Sequence, residues 1–467
     1  MIRLAFLLNI LLGILMADTA NTTNTEKNIK NSLPDYHTKT LKNGLEIVAI
    51  PLHNNSDVIS VDVYYKVGSR NEVMGKSGIA HMLEHMNFKS TSKLRAGEFD
   101  EIVKGVGGVN NASTGFDFTH YFIKSSSSNL DTDLSLFAEL MANLNLKDEE
   151  FQTERDVVAE ERRWRTDNNP MGLLYFKLFN TMYDYHPYHW TPIGFMGDIQ
   201  TWSIEDIKQF HSTYYQPKNA IVIVSGDIDE TNVFEVASKH FGIIENKIDK
   251  IPQVHTKEPK QMGAKRLEIE KENGTQIIAI AYHIPNFAHQ DQIALSVISG
   301  ILSDGGSSRL VSELVDKKKL VNSVYAYNME NTDDGVFLFM AMCNVGIEAK
   351  DVEKEILAQI NRLKDELITE EELDKIKVNT KADFIYSMES SSNVSSLFGS
   401  YLARGDISPL LEYEDRLKEL TTKQIQEVAN KYFTKNNSTT VILKSPKKIE
   451  EKIEEKKENT ENKEEGK

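Results

Sequence analysis

Cysteine is almost missing: Cys343 stands alone among 467 residues, so no disulfide can form within the chain. Its preceding neighbours, Val336-Phe-Leu-Phe-Met-Ala-Met342, read as a buried strand, which makes the thiol a small core group and not a nucleophile. Also missing is an apolar run long enough to span a bilayer. The one candidate, residues 4–16, follows Arg3, is broken by Asn9 and Gly13, and has the length of an export signal. Cleavage after Ala17 is expected, to the periplasm; because Leu15 is large for its place, an uncleaved anchor in the inner membrane is the alternative. Residues 18–32 hold no arginine, which argues against a mitochondrial transit peptide. No cluster of Lys and Arg stands out against the net charge of -16, so no nucleic-acid surface is expected. A Gly-rich phosphate loop is absent too, and with it the signature of a doubly wound nucleotide fold.

What is present is an ordinary globular composition, 40% hydrophobic and 27% charged, in a chain long enough for at least two domains. Residues 41–50 and 58–66 have strand character, with Asn43-Gly44 as a turn, and residues 220–225 form a later apolar strand. Helical periodicity marks 78–88, 97–104, 130–142 and 148–165. A polar stretch with Pro252 and Pro259 reads as a linker over 247–262. The segments on either side resemble each other. Residues 207–219, with Tyr214-Tyr215 and Asn219, match 425–437, with Tyr432-Phe433 and Asn437, and an apolar strand follows each. The expected organisation is a signal at 1–17, a first half at 33–246, the linker, a homologous second half at 263–446 and a solvated charged tail at 447–467.

The chemistry concentrates in Ser77-Gly-Ile-Ala-His81-Met-Leu-Glu84-His85. Histidines four apart share one face of a helix, where both imidazoles can reach one metal, and Glu84 projects beside them; this is an inverted zincin motif. A catalytic zinc needs a third protein ligand and an open position. On the acidic helix, Phe151, Glu154, Val158 and Glu161 fall on one stripe, with Glu160 rotated away. A carboxylate that faces inward is either paired or metal-bound. A solvated face paired with Arg155 or Arg162 is the competing explanation.

With these motifs the chain resembles the pitrilysin and insulinase family of zinc peptidases, in the branch of single-length chains related to the mitochondrial processing peptidase β subunit. The resemblance implies that Glu161 is the third ligand and Glu154 its support behind the ligands, because the family places two glutamates seven apart after the histidine helix. It implies Glu84 as the catalytic base and one Zn²⁺ per chain. Asn111-Ala112-Ser113-Thr114 resembles the family's edge strand, which accepts an extended peptide by strand addition. His186-Pro-Tyr188 and Tyr215-Gln-Pro217-Lys-Asn219 match as well. The implied fold is α+β: two homologous α/β-roll halves, each a mixed sheet packed with helices, in a clam-shell metallopeptidase.

The second half departs from the pattern in two places. Leu295, Ile298 and Ser299 stand where the first half has His81, Glu84 and His85, so no second metal is expected. Active members carry an Arg and a Tyr seven apart after a Ser-Arg-Leu stretch. Here Ser308-Arg309-Leu310 is followed by Val315 and Asn322 at those positions; Lys318 and Tyr325 have the right separation only after a three-residue slip. The resemblance therefore implies an exported zinc metalloendopeptidase acting on extended or unfolded peptides, paired with a related subunit that lacks zinc and supplies Arg and Tyr. A homodimer would hold two metals and none of those donors. The competing function is a non-catalytic subunit of a peptidase-like complex.

Overall fold

Short runs of β-branched and apolar residues build two sheets in the computed structural model, which describes residues 32–52 and 56–446. The expected signal at 1–17 and the charged tail at 447–467 lie outside the described residues. The first sheet holds β1 (His37–Thr40), β2 (Glu46–Pro51), β3 (Val58–Tyr65), β4 (Val109–Thr114), β5 (Thr119–Ser126) and β6 (Ala220–Gly226) in the order β1-β2-β6-β3-β5-β4. The second holds β7 (Lys265–Glu270), β8 (Ile277–Ile284), β9 (Val321–Met329), β10 (Gly335–Cys343) and β11 (Ser438–Lys444) in the order β7-β11-β8-β10-β9. Setting β1 aside, the two orders are the same. The senses agree too: β2 with β6 and β7 with β11 are the parallel pairs, and the remaining pairs are antiparallel.

The matched segments occupy equivalent places. The helices Ile204–Tyr214 and Thr422–Tyr432 each begin in a capping box, Ser203 with Asp206 and Thr421 with Gln424, and each leads into a strand next to the parallel one. Cys343 is fully buried at the end of β10, and burial pushes its thiol up to about 11.

Each sheet is buried on both faces, which is why β6 and β10 are apolar along their length rather than alternating. Helix α1 (Ile79–Asn87) and helix α2 (Asp148–Arg162) lie with others over one face of the first sheet. The opposite face is covered from the far half of the chain. Helix α3 (Pro170–Met182) sets Leu174, Leu178, Phe179 and Met182 on Ala279, Ala281, Leu338 and Met340 of the second sheet. Helix α4 (Gln292–Ser303) lies on the other face of that sheet, at the place α1 holds in the first half. Helix α5 (Ser391–Arg404) returns the exchange, packing Val394, Phe398 and Ala403 on Val48, Ile50, Ile221 and Ile223. Each such side chain contributes about 1.5–3 kcal/mol of burial, so the swapped helices lock the halves together. Polar contacts reinforce this. Asp333 is held by Arg70 and by His186 Nε2 at 2.9 Å, and Asp117 accepts from Tyr188 Oη and from the Thr332 amide.

Candidate metal centre

The start of α1 is built without a side-chain cap of its own. Gly78 sits at φ +86°, where a Cβ would fall 2.7 Å from the Ile193 carbonyl oxygen and 2.9 Å from the Trp202 ring, so glycine is required there. Glu72 takes over the capping: its carboxylate accepts from the Gly78 amide (2.8 Å), the Ala80 amide (2.9 Å) and Trp190 Nε1 (2.7 Å). Burial pushes Glu72 up to about 8 against the pull of these three donors. Ser77, one residue earlier, is held by Asp198 through both its amide (3.0 Å) and its hydroxyl. The helix that carries the two histidines is thereby fixed in position at its first turn.

His81 and His85 stand one turn apart on α1, their rings meeting edge to face with centroids 4.7 Å from each other. Helix α2 packs across them. Phe151, Glu154 and Val158 are buried on its inward stripe, and Glu161 extends that stripe, whereas Glu160 points to solvent and pairs with Arg163. Glu161 Oε2 stands 3.3 Å from His85 Nε2 and 3.7 Å from His81 Nε2. One donor atom from each of the three residues lies within 4.8 Å of the others, and among the described residues no other His, Cys, Asp or Glu group converges in this way. Glu154 sits behind the donors, with Oε1 2.8 Å from His85 Nδ1 and Oε2 paired with Lys89.

The electrostatics describe three donors gathered for a cation. Burial, helped by the neighbouring His85, drives His81 down to about 3, so that imidazole is neutral. Burial lowers His85 also, but its bonds to Glu154 and Glu161 outweigh this and raise it to about 9. Burial raises Glu161 as well, yet the His85 bond and the charges of Arg165 and His85 hold its carboxyl well below the usual range. His85 thus holds a proton between two carboxylates, and a divalent ion would displace it, since ligation requires the neutral ring. Two imidazole nitrogens and one carboxylate oxygen are the ligand set of an open catalytic zinc site. His81 Nδ1 is buried with no hydrogen-bond partner, so of the two imidazoles only His85 has its outer nitrogen fixed by a carboxylate.

Glu84 lies on the side of α1 that faces the sheet edge. Its Oε2 accepts from the Thr114 hydroxyl at the end of β4, and burial raises its carboxyl above the usual range. Strand β4 pairs with β5 alone and forms the edge of its sheet. The hairpin bond from the Gly115 amide to the Phe118 carbonyl sets the alternation, so Ala112 and Thr114 turn their backbone groups away from β5. The Ala112 amide accordingly bonds to Asn111 Oδ1 (2.9 Å) instead of the ladder. Ser113, opposite His120, belongs to the inner set. Of the four edge residues named from the sequence, Thr114 is the one whose side chain hydrogen-bonds to Glu84.

Several site residues were not foreseen. Lys89, Glu72 and Arg165 all act on the donor set or its helix, and Arg165, not Arg155 or Arg162, is the arginine that meets Glu161. Only Arg165 left a trace in the sequence, being four residues beyond Glu161 in a helical stretch. In the second half, Leu295 and Ile298 are fully buried and Ser299 donates to the Ala326 carbonyl, so α4 offers no metal donors at the equivalent positions.

Comparison with known proteins finds two matching family models and several similar chains. The family model described as insulinase (peptidase family M16) matches residues 47–190, and that described as the peptidase M16 inactive domain matches 201–380. A protein named zinc protease PqqE from Helicobacter pylori is 56% identical over 414 residues, spanning 88% of this chain and 93% of that one. A probable mitochondrial-processing peptidase subunit beta from Arabidopsis thaliana is 24% identical, spanning 86% of this chain and 77% of that one. The crystal structure of a protease from Helicobacter pylori superimposes with a TM-score of 0.87 at 56% identity, over 89% of this chain and all of that one.

Proposed function

The chain belongs to the insulinase (M16) family of zinc proteases, and on that premise we propose that it is an exported zinc metalloendopeptidase that cuts extended or unfolded peptides. One observation carries the reading: His81, His85 and Glu161 converge, while Glu84 stands between them and an open strand edge. We assign residues 33–246 as the catalytic half and 263–446 as its homologous partner half without zinc. Export rests on the sequence pattern of residues 1–17.

His81, His85 and Glu161 would hold one zinc ion per chain. Zinc at this site supplies Lewis acidity, polarising the scissile carbonyl and acidifying the attacking water. Glu84 takes the proton of that water and passes it to the leaving amine, and its raised affinity for protons suits both steps. The Thr114 hydroxyl holds the Glu84 carboxylate in place. Glu154 keeps the outer nitrogen of His85 engaged, so that its Nε2 is turned toward Glu161, where it would be available to zinc. The edge of β4 takes the substrate backbone as an added strand through Ala112 and Thr114, with Asn111 and Ser113 flanking. A purely structural subunit has no use for this complete donor set, which weighs against the non-catalytic reading.

Two experiments bear on the proposal. Hydrolysis of an unfolded polypeptide by the protein purified from its source should stop in 1,10-phenanthroline and return with micromolar zinc; activity that persists in the chelator refutes it. Ala112→Pro removes an outward amide that β5 does not use, a change that edge strands tolerate. Loss of one backbone bond and the added ring should lower kcat/KM roughly tenfold with zinc content unchanged. An unaltered kcat/KM takes β4 out of the substrate path.

A further inference from the structure

The two oxygens of Glu161 are divided between different partners. Oε2 faces both imidazole Nε2 atoms, and Oε1 is held at 2.8 Å by Arg165 Nε. The chain positions Arg165 for this in two ways. After Arg162 the backbone widens into a π-helical turn over Arg163–Asp167, so the Arg165 side chain reaches back along the helix to Glu161. Its backbone is also seated: the Arg165 carbonyl lies so close to Gly172 of α3 that a Cβ there would fall 1.9 Å from it. Glu154 repeats the pattern one layer out, with Oε1 on His85 and Oε2 on Lys89. In each case a cation occupies the oxygen that faces away from the centre.

A carboxylate ligand left to itself can bind a divalent ion through one oxygen or both. Binding through both would fill the position that a catalytic zinc must keep open for water and substrate. We propose that Arg165 is a positioning residue that restricts Glu161 to one-oxygen ligation, so that the coordination number stays low. It touches neither substrate nor metal and acts through Glu161. Because α3 packs on the second sheet, the seat of Arg165 also makes the metal ligand depend on the contact between the halves. The inference rests on the assignment of His81, His85 and Glu161 as the zinc site.

The test uses the full chain loaded with zinc or cobalt, as wild type, Arg165→Ala and Arg165→Lys. Metal affinity is read by competition with a chromophoric chelator, and coordination number by the visible absorption of the cobalt form, which is strong for four ligands and several-fold weaker for five or six. Arg165→Ala should bind zinc 10–100-fold more weakly, the usual effect of removing a group that orients a ligand, and its cobalt band should weaken. Arg165→Lys, which keeps a cation on Oε1, should recover most of the band. An Arg165→Ala protein with wild-type affinity and spectrum overturns the positioning role and leaves the zinc site standing. Weaker binding with an unchanged band overturns it too, because the coordination number would then not depend on Arg165. A wild-type chain that binds no stoichiometric metal overturns both.

Discussion

Glu84→Gln is expected to keep its zinc and lose peptide hydrolysis by about 10²–10⁴-fold, the range for removal of a general acid–base group. The substitution is nearly isosteric, and an amide oxygen can still accept from the Thr114 hydroxyl, so the helix and strand edge should hold their places. None of the three converging donors is altered, since Glu84 is not one of them. What disappears is the ability to take a proton from water and return it to the amine. The loss should fall on kcat with KM little changed, because Glu84 meets the reacting atoms and not the substrate backbone. Metal content by mass spectrometry and cleavage of a quenched peptide read the two halves of this outcome; hydrolysis within tenfold of wild type would remove Glu84 from the base role.

The second large effect concerns a partner. The positions where the family resemblance leads one to expect Arg and Tyr hold Val315, packed partly against the second core, and Asn322, exposed on β9. The slipped candidates are already engaged elsewhere. Lys318 Nζ pairs with Glu355 at 2.5 Å, and Tyr325 packs beneath α3 with its hydroxyl on Met340. Donors that stabilise a tetrahedral intermediate are worth about 10²–10³ in kcat each. The chain alone should therefore hydrolyse peptides slowly, and addition of a related chain that carries Arg and Tyr but lacks the histidine helix should raise kcat by at least about 10²-fold. The increase should vanish when the Glu84→Gln chain is used in the mixture. Full activity from the chain alone, with no gain on mixing, would contradict the shared active site.

How far the site could be read from the chain depends on the distance over which its parts act. His81, Glu84 and His85 share one turn of helix, and a four-residue spacing carries their geometry directly. The stripe Phe151, Glu154, Val158 and Glu161 was legible by the same periodicity, but that it crosses α1 followed only from the family resemblance. The match of residues 207–219 with 425–437 made the repeated helix visible in both halves. Contacts made through space left little or no mark. Glu72 caps α1 across a loop, and Lys89, just past the end of α1, meets Glu154 on α2. The exchange of α3 and α5 between sheets was hidden for a related reason: an amphipathic pattern says that a face is buried, not against which sheet.

His81, His85 and Glu161 should together hold one zinc ion. Zinc per chain, measured by inductively coupled plasma mass spectrometry on the purified wild type beside His85→Ala and Glu161→Gln, tests this most directly. The wild type should carry about one zinc and each variant far less at the same chelator concentration, because a site left with two protein donors binds weakly. A wild type without zinc, or variants that retain it in full, would contradict the account.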